Sequence, residues 1–221
     1  EGNIAQARAL QEAGCDIIRV AVPDMQAVKT VSALKENVTA PIVADIHFDW
    51  RLAVESVYAG VDKVRINPGN IGEESHVREV ARVCREKNIP IRIGVNSGSL
   101  EKDILSRYGS ATPEAMVESG FYHISLLEKY DFDNIVLSLK SSDPKRMYDA
   151  YVLAAQKCKY PLHLGVTEAG TENMGVIKSA AGIGGLLLRG IGDTVRISLT
   201  DDPVREVYAA QKLLKALGIR K

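Results

Sequence analysis

The sequence predicts an α/β protein of the TIM-barrel, or (β/α)8, class, with the first strand of the barrel missing from this chain. Seven short segments alternate apolar and polar residues, as strands do, and helical segments separate each strand from the next. Strand starts recur every 21 to 33 residues, apart from one step of 44 residues between Ile91 and Ile135. A doubly wound sheet would bury both faces of its strands and give continuous apolar runs, so the alternation favours the barrel.

The predicted strands are defined by side chains that point to opposite faces in turn. In the third strand Val64 and Ile66 share one face, whereas Lys63, Arg65 and Asn67 share the other. The same alternation gives seven strands: Asp16–Val22, Ile42–His47, Lys63–Asn67, Ile91–Asn96, Ile135–Lys140, Leu162–Thr167 and Val195–Thr200.

The helices are bounded by capping residues and by glycines. Asp202 followed by Pro203 is a favourable helix start, and Gly14, Gly60 and Gly218 each follow a helical stretch. The predicted helices are Ile4–Ala13, Asp24–Glu36, Asp49–Tyr58, Glu73–Lys87, Leu100–Tyr108 (an extra element in the long step), Pro113–Tyr130, Pro144–Cys158, Asn173–Leu188 and Pro203–Leu217.

Composition excludes several classes of partner. The chain has 221 residues, enough for one large domain, and its 28 basic and 28 acidic residues give no net charge. No apolar run is long enough to span a membrane. Cys15, Cys84 and Cys158 are far apart and form no Cys-x-x-Cys pair, which is typical of reduced thiols rather than metal ligands. We therefore expect a cytoplasmic protein without a nucleic-acid or membrane partner.

The polar register of the strands is rich in cations. Helices cover one side of a parallel sheet, so the polar side must face the barrel interior, where buried cations need an anion. Arginine matches phosphate oxygens in bidentate geometry and lysine adds a point charge. Five residues share this position and predict a diphosphate or another multiply charged ligand: Arg19, Arg65, Arg92, Lys140 and Arg196. Arg19 or Arg65 could instead pair with Asp45.

Other polar groups lie near the same strand ends, where barrel enzymes place their active sites. Asp45 and His47 share one strand face, but without a third ligand we expect them to hydrogen-bond a substrate rather than a metal. Glu168, after Thr167, could act as an acid, a base or a hydroxyl contact, or be a solvated loop residue.

Two glycine-containing segments invite a phosphate-loop interpretation. Residues 67–72 read as a tight loop at the barrel mouth, in which the glycines serve the turn or contact phosphate. Residues 182–185 lack the strand–turn–helix context of a phosphate loop, so we expect a structural role there.

Six ordered motifs resemble the (E)-4-hydroxy-3-methylbut-2-enyl diphosphate synthases of the non-mevalonate isoprenoid pathway. They span nearly the whole chain: Ile18–Pro23, Ala44–Phe48, residues 64–72, Arg92–Ser99, Leu164–Gly170 and Gly190–Thr200. The resemblance implies a barrel that binds 2-C-methyl-D-erythritol 2,4-cyclodiphosphate and opens its ring by two-electron reduction with loss of water. By motif position, it places diphosphate binding on Arg19, Arg65, Arg92, Lys140, Arg196 and Ser198. The carbon skeleton and hydroxyls would meet Asp45, His47, Asn96, Thr167 and Glu168.

The resemblance also implies partners that this chain does not supply. The family carries a [4Fe–4S] cluster, held by three Cys and one Glu of a C-terminal domain, and takes electrons from ferredoxin or flavodoxin. We therefore expect residues 1–221 to be the barrel fragment of a longer homodimeric oxidoreductase, with the cluster domain and its metal ligands outside this chain. Two alternatives remain open: a pterin-binding barrel like dihydropteroate synthase, and a non-catalytic anion-binding domain.

Overall fold

The structure is a computed structural model that describes residues 2–67 and 69–221. Pro68, in the loop predicted to follow the third strand, lies outside the described residues. The first five predicted strands are confirmed, and the sixth is shortened to two residues. The seventh, expected over Val195–Thr200, is wrong in its bounds, because the strand ends at Val195 and the residues after it form no ladder. The strands are β1 (Ile18–Ala21), β2 (Ile42–Asp45), β3 (Lys63–Ile66), β4 (Ile91–Asn96), β5 (Ile135–Lys140), β6 (His163–Leu164) and β7 (Thr194–Val195).

The helices also follow the prediction, with two differences. The helix expected over Asn173–Leu188 is interrupted by a π-helical turn, Ala180–Gly184, and the helix expected to reach Cys158 ends at Ala155. The helices are α1 (Gly2–Glu12), α2 (Met25–Asn37), α3 (Trp50–Tyr58), α4 (Glu74–Glu86), α5 (Lys102–Tyr108), α6 (Pro113–Glu128), α7 (Pro144–Ala155), α8 (Glu172–Ser179), α9 (Gly185–Leu187) and α10 (Pro203–Ala216). No helix in the part of the chain that the structure describes is long and apolar enough to cross a membrane.

Strand order follows chain order. β1 to β5 form one sheet in the sequence β1-β2-β3-β4-β5, and β6 pairs with β7. The pairs β1–β2, β2–β3, β3–β4 and β6–β7 are parallel, as expected when a helix connects each strand to the next. Parallel pairing brings the carboxyl ends of neighbouring strands in one sheet to the same edge, so Asp45 and Arg65 lie near one edge of the first sheet.

The chain divides into two compact units. The first comprises the residues up to Ile93 together with Tyr122–Val136, and its core includes the buried side chains of Val31, Leu34 and Ile42. Asp62 ties its elements together, because Oδ2 accepts hydrogen bonds from Lys35 Nζ at 2.6 Å and from the Ile42 amide at 2.7 Å. One carboxylate therefore links α2, β2 and the turn before β3.

The second unit comprises Gly94–Phe121 and Leu137–Lys221. Tyr151, fully buried on α7, joins two of its strands: its hydroxyl donates to the His163 carbonyl and accepts the Leu139 amide at 2.9 Å. Gly182, in the π-helical turn, leaves no room for a side chain, since a Cβ there would lie 2.5 Å from Met147 Cε. The glycines of residues 182–185 thus serve helix packing, as the sequence indicated.

Candidate functional site

The first unit builds a cluster of charged residues at the carboxyl end of β2. Asp45 lies opposite Arg65 in the parallel register, and Arg65 lies opposite Arg92. Asp45 Oδ1 accepts a hydrogen bond from Arg65 Nη1 at 2.9 Å, and Oδ2 accepts one from Arg19 Nη1. His47 Nε2 lies 3.5 Å from Oδ2. We call Arg19, Asp45, His47 and Arg65 the Asp45 cluster.

The cluster keeps Asp45 ionised. Burial by itself raises the pKa of a carboxyl, and Asp45 is only 3% exposed. The positive charges of Arg65 and Arg19 and the hydrogen bond from Arg65 outweigh that effect, so the pKa of Asp45 is lowered from its usual 3.8. The sequence left open whether Arg19 or Arg65 pairs with Asp45, and both do. One buried carboxylate thus accepts hydrogen bonds from two guanidinium groups.

Arg92 adds a buried cation to this edge of the sheet. It is 5% exposed and lies next to Arg65 in the register. Burial lowers the pKa of the nearby Lys63 amine, and the positive charge of Arg92 lowers it further. Lys63 precedes Arg65 by two residues and therefore shares its strand face. The sequence did not single out Lys63, whose position at the start of β3 is far from the strand end.

The loop after β3 is held by side chains of the same unit. Asn67 is 5% exposed, and its Oδ1 accepts a hydrogen bond from the Gly69 amide at 3.1 Å. This Asx-type turn is the reason that a buried Asn occurs there. His76 on α4 lies 3.2 Å through Nδ1 from the Ile71 carbonyl and stacks on Trp50 with ring centroids 5.0 Å apart. A turn-forming role therefore accounts for Asn67, and a phosphate contact of this loop stays a prediction.

In the second unit, Lys140 and the backbone of Arg196 both lie against one glycine. Lys140, the last residue of β5, is buried, and Arg196 directly follows β7. Both approach Gly165, the residue after β6: a Cβ there would lie 3.0 Å from Lys140 Cε and 3.1 Å from the Arg196 carbonyl oxygen. A glycine at a polar-register position of a strand was the only signal of this close approach in the sequence.

Arg196 meets an acid that the sequence analysis missed. Its Nε lies 3.7 Å from Glu206 Oε2 on α10, and Glu206 Oε1 accepts the Leu199 amide at 2.9 Å. A residue on a helix therefore neutralises part of the charge on Arg196. Strand alternation contains no information about that helix.

Of the remaining predicted residues of this unit, Asn96 ends β4, Thr167 and Glu168 follow β6, and Ser198 follows β7. Asn96 and Thr167 are half-buried, and the Thr167 amide donates to the Ser141 carbonyl at 3.1 Å. Ser141 is fully buried, and its Oγ accepts a hydrogen bond from Ser97 Oγ at 3.2 Å, which joins the ends of β4 and β5. Ser198 is also half-buried. The Ser97–Ser141 pair was not predicted.

Glu168 has an unusual backbone. It is exposed, and its φ of 49° lies in the left-handed region that disfavours residues with a side chain. Such strain persists where the surrounding structure requires it and is more frequent at functional positions. Asn88 and Asp131 adopt similar φ angles of 55° and 54°, so a functional role for Glu168 stays a prediction.

The cysteines do not form a metal site. Among residues 2–67 and 69–221, no group of three or more His, Cys, Asp or Glu side chains could hold a metal ion. Burial raises the pKa of the Cys84 thiol to about 12, while the thiols of Cys15 and Cys158 lie near the carbonyls of Ile17 and Tyr160. The residues present therefore do not fit a [4Fe–4S] cluster, which needs thiolate ligands gathered at one point.

Comparison with known proteins assigns the chain to one kind of domain. The family model described as GcpE TIM-barrel domain matches residues 1–211. A protein from Caldanaerobacter subterraneus subsp. tengcongensis, named 4-hydroxy-3-methylbut-2-en-1-yl diphosphate synthase (flavodoxin), is 56% identical over the whole chain. A protein of the same name from Clostridium perfringens is 54% identical. The chain spans 62% and 63% of their respective lengths.

Solved structures share the fold at low sequence identity. A dihydropteroate synthase from Xanthomonas albilineans aligns with a TM-score of 0.64 and 13% identity, over 98% of this chain and 85% of that one. A phospho-2-dehydro-3-deoxyheptonate aldolase from Thermotoga maritima aligns with a TM-score of 0.66 and 12% identity, over 98% of this chain and 66% of that one. These likenesses establish the barrel fold alone, so the first does not favour a pterin-binding function.

Proposed function

The chain belongs to the GcpE TIM-barrel domain family, and on that premise we propose that it binds the cyclic diphosphate substrate of a 4-hydroxy-3-methylbut-2-enyl diphosphate synthase. The substrate proposed is 2-C-methyl-D-erythritol 2,4-cyclodiphosphate. The overall reaction consumes two electrons and two protons, opens the ring and releases one water molecule. The single observation that supports this proposal is the set of cations on or next to the strands, three of which, Arg65, Arg92 and Lys140, are buried.

We propose a diphosphate-binding role, residue by residue, for five cations and one hydroxyl. Positive charge held in a fixed geometry binds phosphate oxygens and neutralises them without reorganisation. In the first unit the Asp45 carboxylate orients Arg19 and Arg65, because each guanidinium donates a hydrogen bond to it. The residues are Arg19, Arg65, Arg92, Lys140, Arg196 and Ser198.

The other site residues are proposed to contact the carbon skeleton and its hydroxyls. A carboxylate beside phosphate oxygens would repel them, so Glu168 and Asp45 are better suited to hydroxyl groups. His47 is exposed and near Asp45 Oδ2, so its ring is available for a hydrogen bond or a proton transfer. Asn96 and Thr167 offer neutral donors and acceptors.

We propose that the [4Fe–4S] cluster implied by the family is held by residues outside these 221. The described cysteines do not fit it, and the chain spans only 62% of the relative from Caldanaerobacter. Side chains alone do not deliver two electrons. The relatives' names include flavodoxin, and we propose flavodoxin or ferredoxin as the electron donor of the longer protein, which we expect to be a cytoplasmic homodimer.

The proposal is tested by calorimetry on the 221-residue chain with inorganic diphosphate and with the cyclodiphosphate. Arg92→Ala should weaken binding by about 1.5–3 kcal/mol, the scale of a hydrogen bond between charged groups. Arg85→Ala is the matched control, because Arg85 is exposed on α4 and removing it changes the net charge equally. Equal affinity of the Arg92→Ala variant and the unmodified chain would contradict the proposal.

A further inference from the structure

Gly165 occupies a position where space, rather than backbone freedom, requires glycine. It directly follows β6, and its φ is not in the left-handed region occupied by Gly170 and Gly192. An alanine could therefore adopt the same backbone. What alanine would lack is room, because the added Cβ would lie 3.0 Å from Lys140 Cε, 3.3 Å from Lys140 Nζ and 3.1 Å from the Arg196 carbonyl.

Two of these three contacts belong to the end of one flexible side chain. Lys140 is the last residue of β5, and its buried stem passes over the Cα of Gly165, so that its ammonium lies against the β6 end. The third contact is backbone and follows from strand pairing, since the Arg196 amide donates to the Leu164 carbonyl at 2.9 Å. A side chain at position 165 would displace the ammonium group more readily than it would displace the paired backbone.

We propose that Gly165 is a positioning residue for Lys140: its missing side chain lets the lysine stem cross β6 and place its ammonium where the diphosphate binds. This inference rests on the proposed function, because it assumes that Lys140 contacts the ligand. Gly165 itself would touch no ligand. Its effect on binding would act through the position of Lys140 Nζ.

The test is a double-mutant cycle on the affinity for inorganic diphosphate, measured by calorimetry on the 221-residue chain. Gly165→Ala should weaken binding about tenfold, as should Lys140→Ala, on the scale of a charge-assisted hydrogen bond. In the Lys140→Ala background, Gly165→Ala should change the affinity by less than about twofold, since residues that act as one unit are non-additive.

A matched control separates positioning from general crowding. Gly120→Ala places a Cβ 3.1 Å from the methyl groups of Leu137 and Leu139 in the same unit, equally tight but against apolar side chains. This variant should lose stability and keep its affinity for diphosphate. If Gly165→Ala fails to fold, the Lys140→Ala/Gly165→Ala chain, which lacks the crowded lysine atoms, should fold.

The outcomes distinguish the two proposals. If Lys140→Ala binds diphosphate as well as the unmodified chain, the proposed role of Lys140 fails and this inference fails with it. If Lys140→Ala weakens binding but Gly165→Ala does not, the positioning role alone is overturned. Gly165→Ala could also cause equal losses of affinity with and without Lys140, or the double variant could stay unfolded. Either result would assign the constraint to the Arg196 backbone and overturn the positioning role as well.

Discussion

The carboxylate of Asp45 and the guanidinium of Arg65 face each other in register across neighbouring parallel strands, joined by a hydrogen bond of 2.9 Å between Oδ1 and Nη1. Both groups are largely buried. Asp45 also accepts a hydrogen bond from Arg19, so one acid organises two cations at the strand edge. This pairing explains how a cation can be buried there in the absence of a ligand. It also makes the contribution of Asp45 to stability depend on pH.

Asp45→Asn should destabilise the chain by about 3–5 kcal/mol, because it leaves a buried guanidinium without its carboxylate. The pKa of Asp45 is lowered in the folded chain, so its contribution to stability is present above its usual pKa of 3.8 and is lost as the pH falls through the folded value. The difference in unfolding free energy between the two chains, from urea denaturation, should therefore be larger at about pH 7 than at about pH 3. Asp149→Asn removes an exposed ion pair with Lys145 and should cost under about 1 kcal/mol. A pH-independent difference for Asp45→Asn would contradict this assignment.

Glu206→Gln should tighten the binding of inorganic diphosphate by up to about fivefold, the scale of a partly exposed ion pair. The amide retains an oxygen for the Leu199 amide but removes the negative charge near Arg196. Calorimetry at low ionic strength measures the effect, which salt should reduce. Weaker binding by a folded Glu206→Gln chain would show that the carboxylate orients Arg196 rather than competing with the ligand.

Gly192→Ala should destabilise the chain by about 2–4 kcal/mol, through left-handed backbone strain and overpacking together. Its φ is 114°, and a Cβ there would lie 2.4 Å from Leu164 Cδ1. Gly190→Ala is the control, because its φ is also positive, at 71°, while no atom lies within 4 Å of its Cβ position. Thermal or urea unfolding should rank Gly192→Ala as the more damaging change. A larger loss of stability for Gly190→Ala would contradict the explanation by overpacking against Leu164.

Glu168→Gly should stabilise the chain by up to about 1 kcal/mol, because relief of left-handed strain exceeds the entropy cost of glycine. Asp131, with a φ of 54° after α6, provides a comparison in which the same substitution should give a similar gain. Urea denaturation measures both. A loss of stability for Glu168→Gly would mean that its side chain makes contacts that outweigh the strain.

In the longer protein that we propose, loaded with the proposed cluster, Glu168→Gln should lower turnover more than it weakens binding of inorganic diphosphate. The change keeps the size and the strained backbone of Glu168 but removes the charge that we propose for a substrate hydroxyl. Steady-state kinetics and calorimetry on the same preparation separate the two effects. Normal turnover would show that Glu168 is not required for the reaction.

The sequence by itself determined the order of strands and helices and the strand face on which each candidate site residue lies. Strand residues repeat with a period of two, so Val64 and Ile66 on one face and Arg65 on the other are readable without any structure. Helix boundaries are equally local, and Asp202 followed by Pro203 marked the start of α10. The break in the helix at Ala180–Gly184 was not readable, because a π-helical turn depends on packing against α7, where Gly182 meets Met147.

Only the tertiary structure decided which partner each site residue meets. Alternation placed Arg19, Arg65 and Arg196 on the polar faces of their strands. It could not show that Asp45 binds both Arg19 and Arg65. Nor could it show that Glu206, on a helix, lies beside Arg196. The room that Gly165 leaves for Lys140 depends on three strand ends meeting. The physical reason is range: backbone periodicity and capping act within a few residues, whereas charge pairing and close packing depend on strand register and helix docking between segments far apart in the chain.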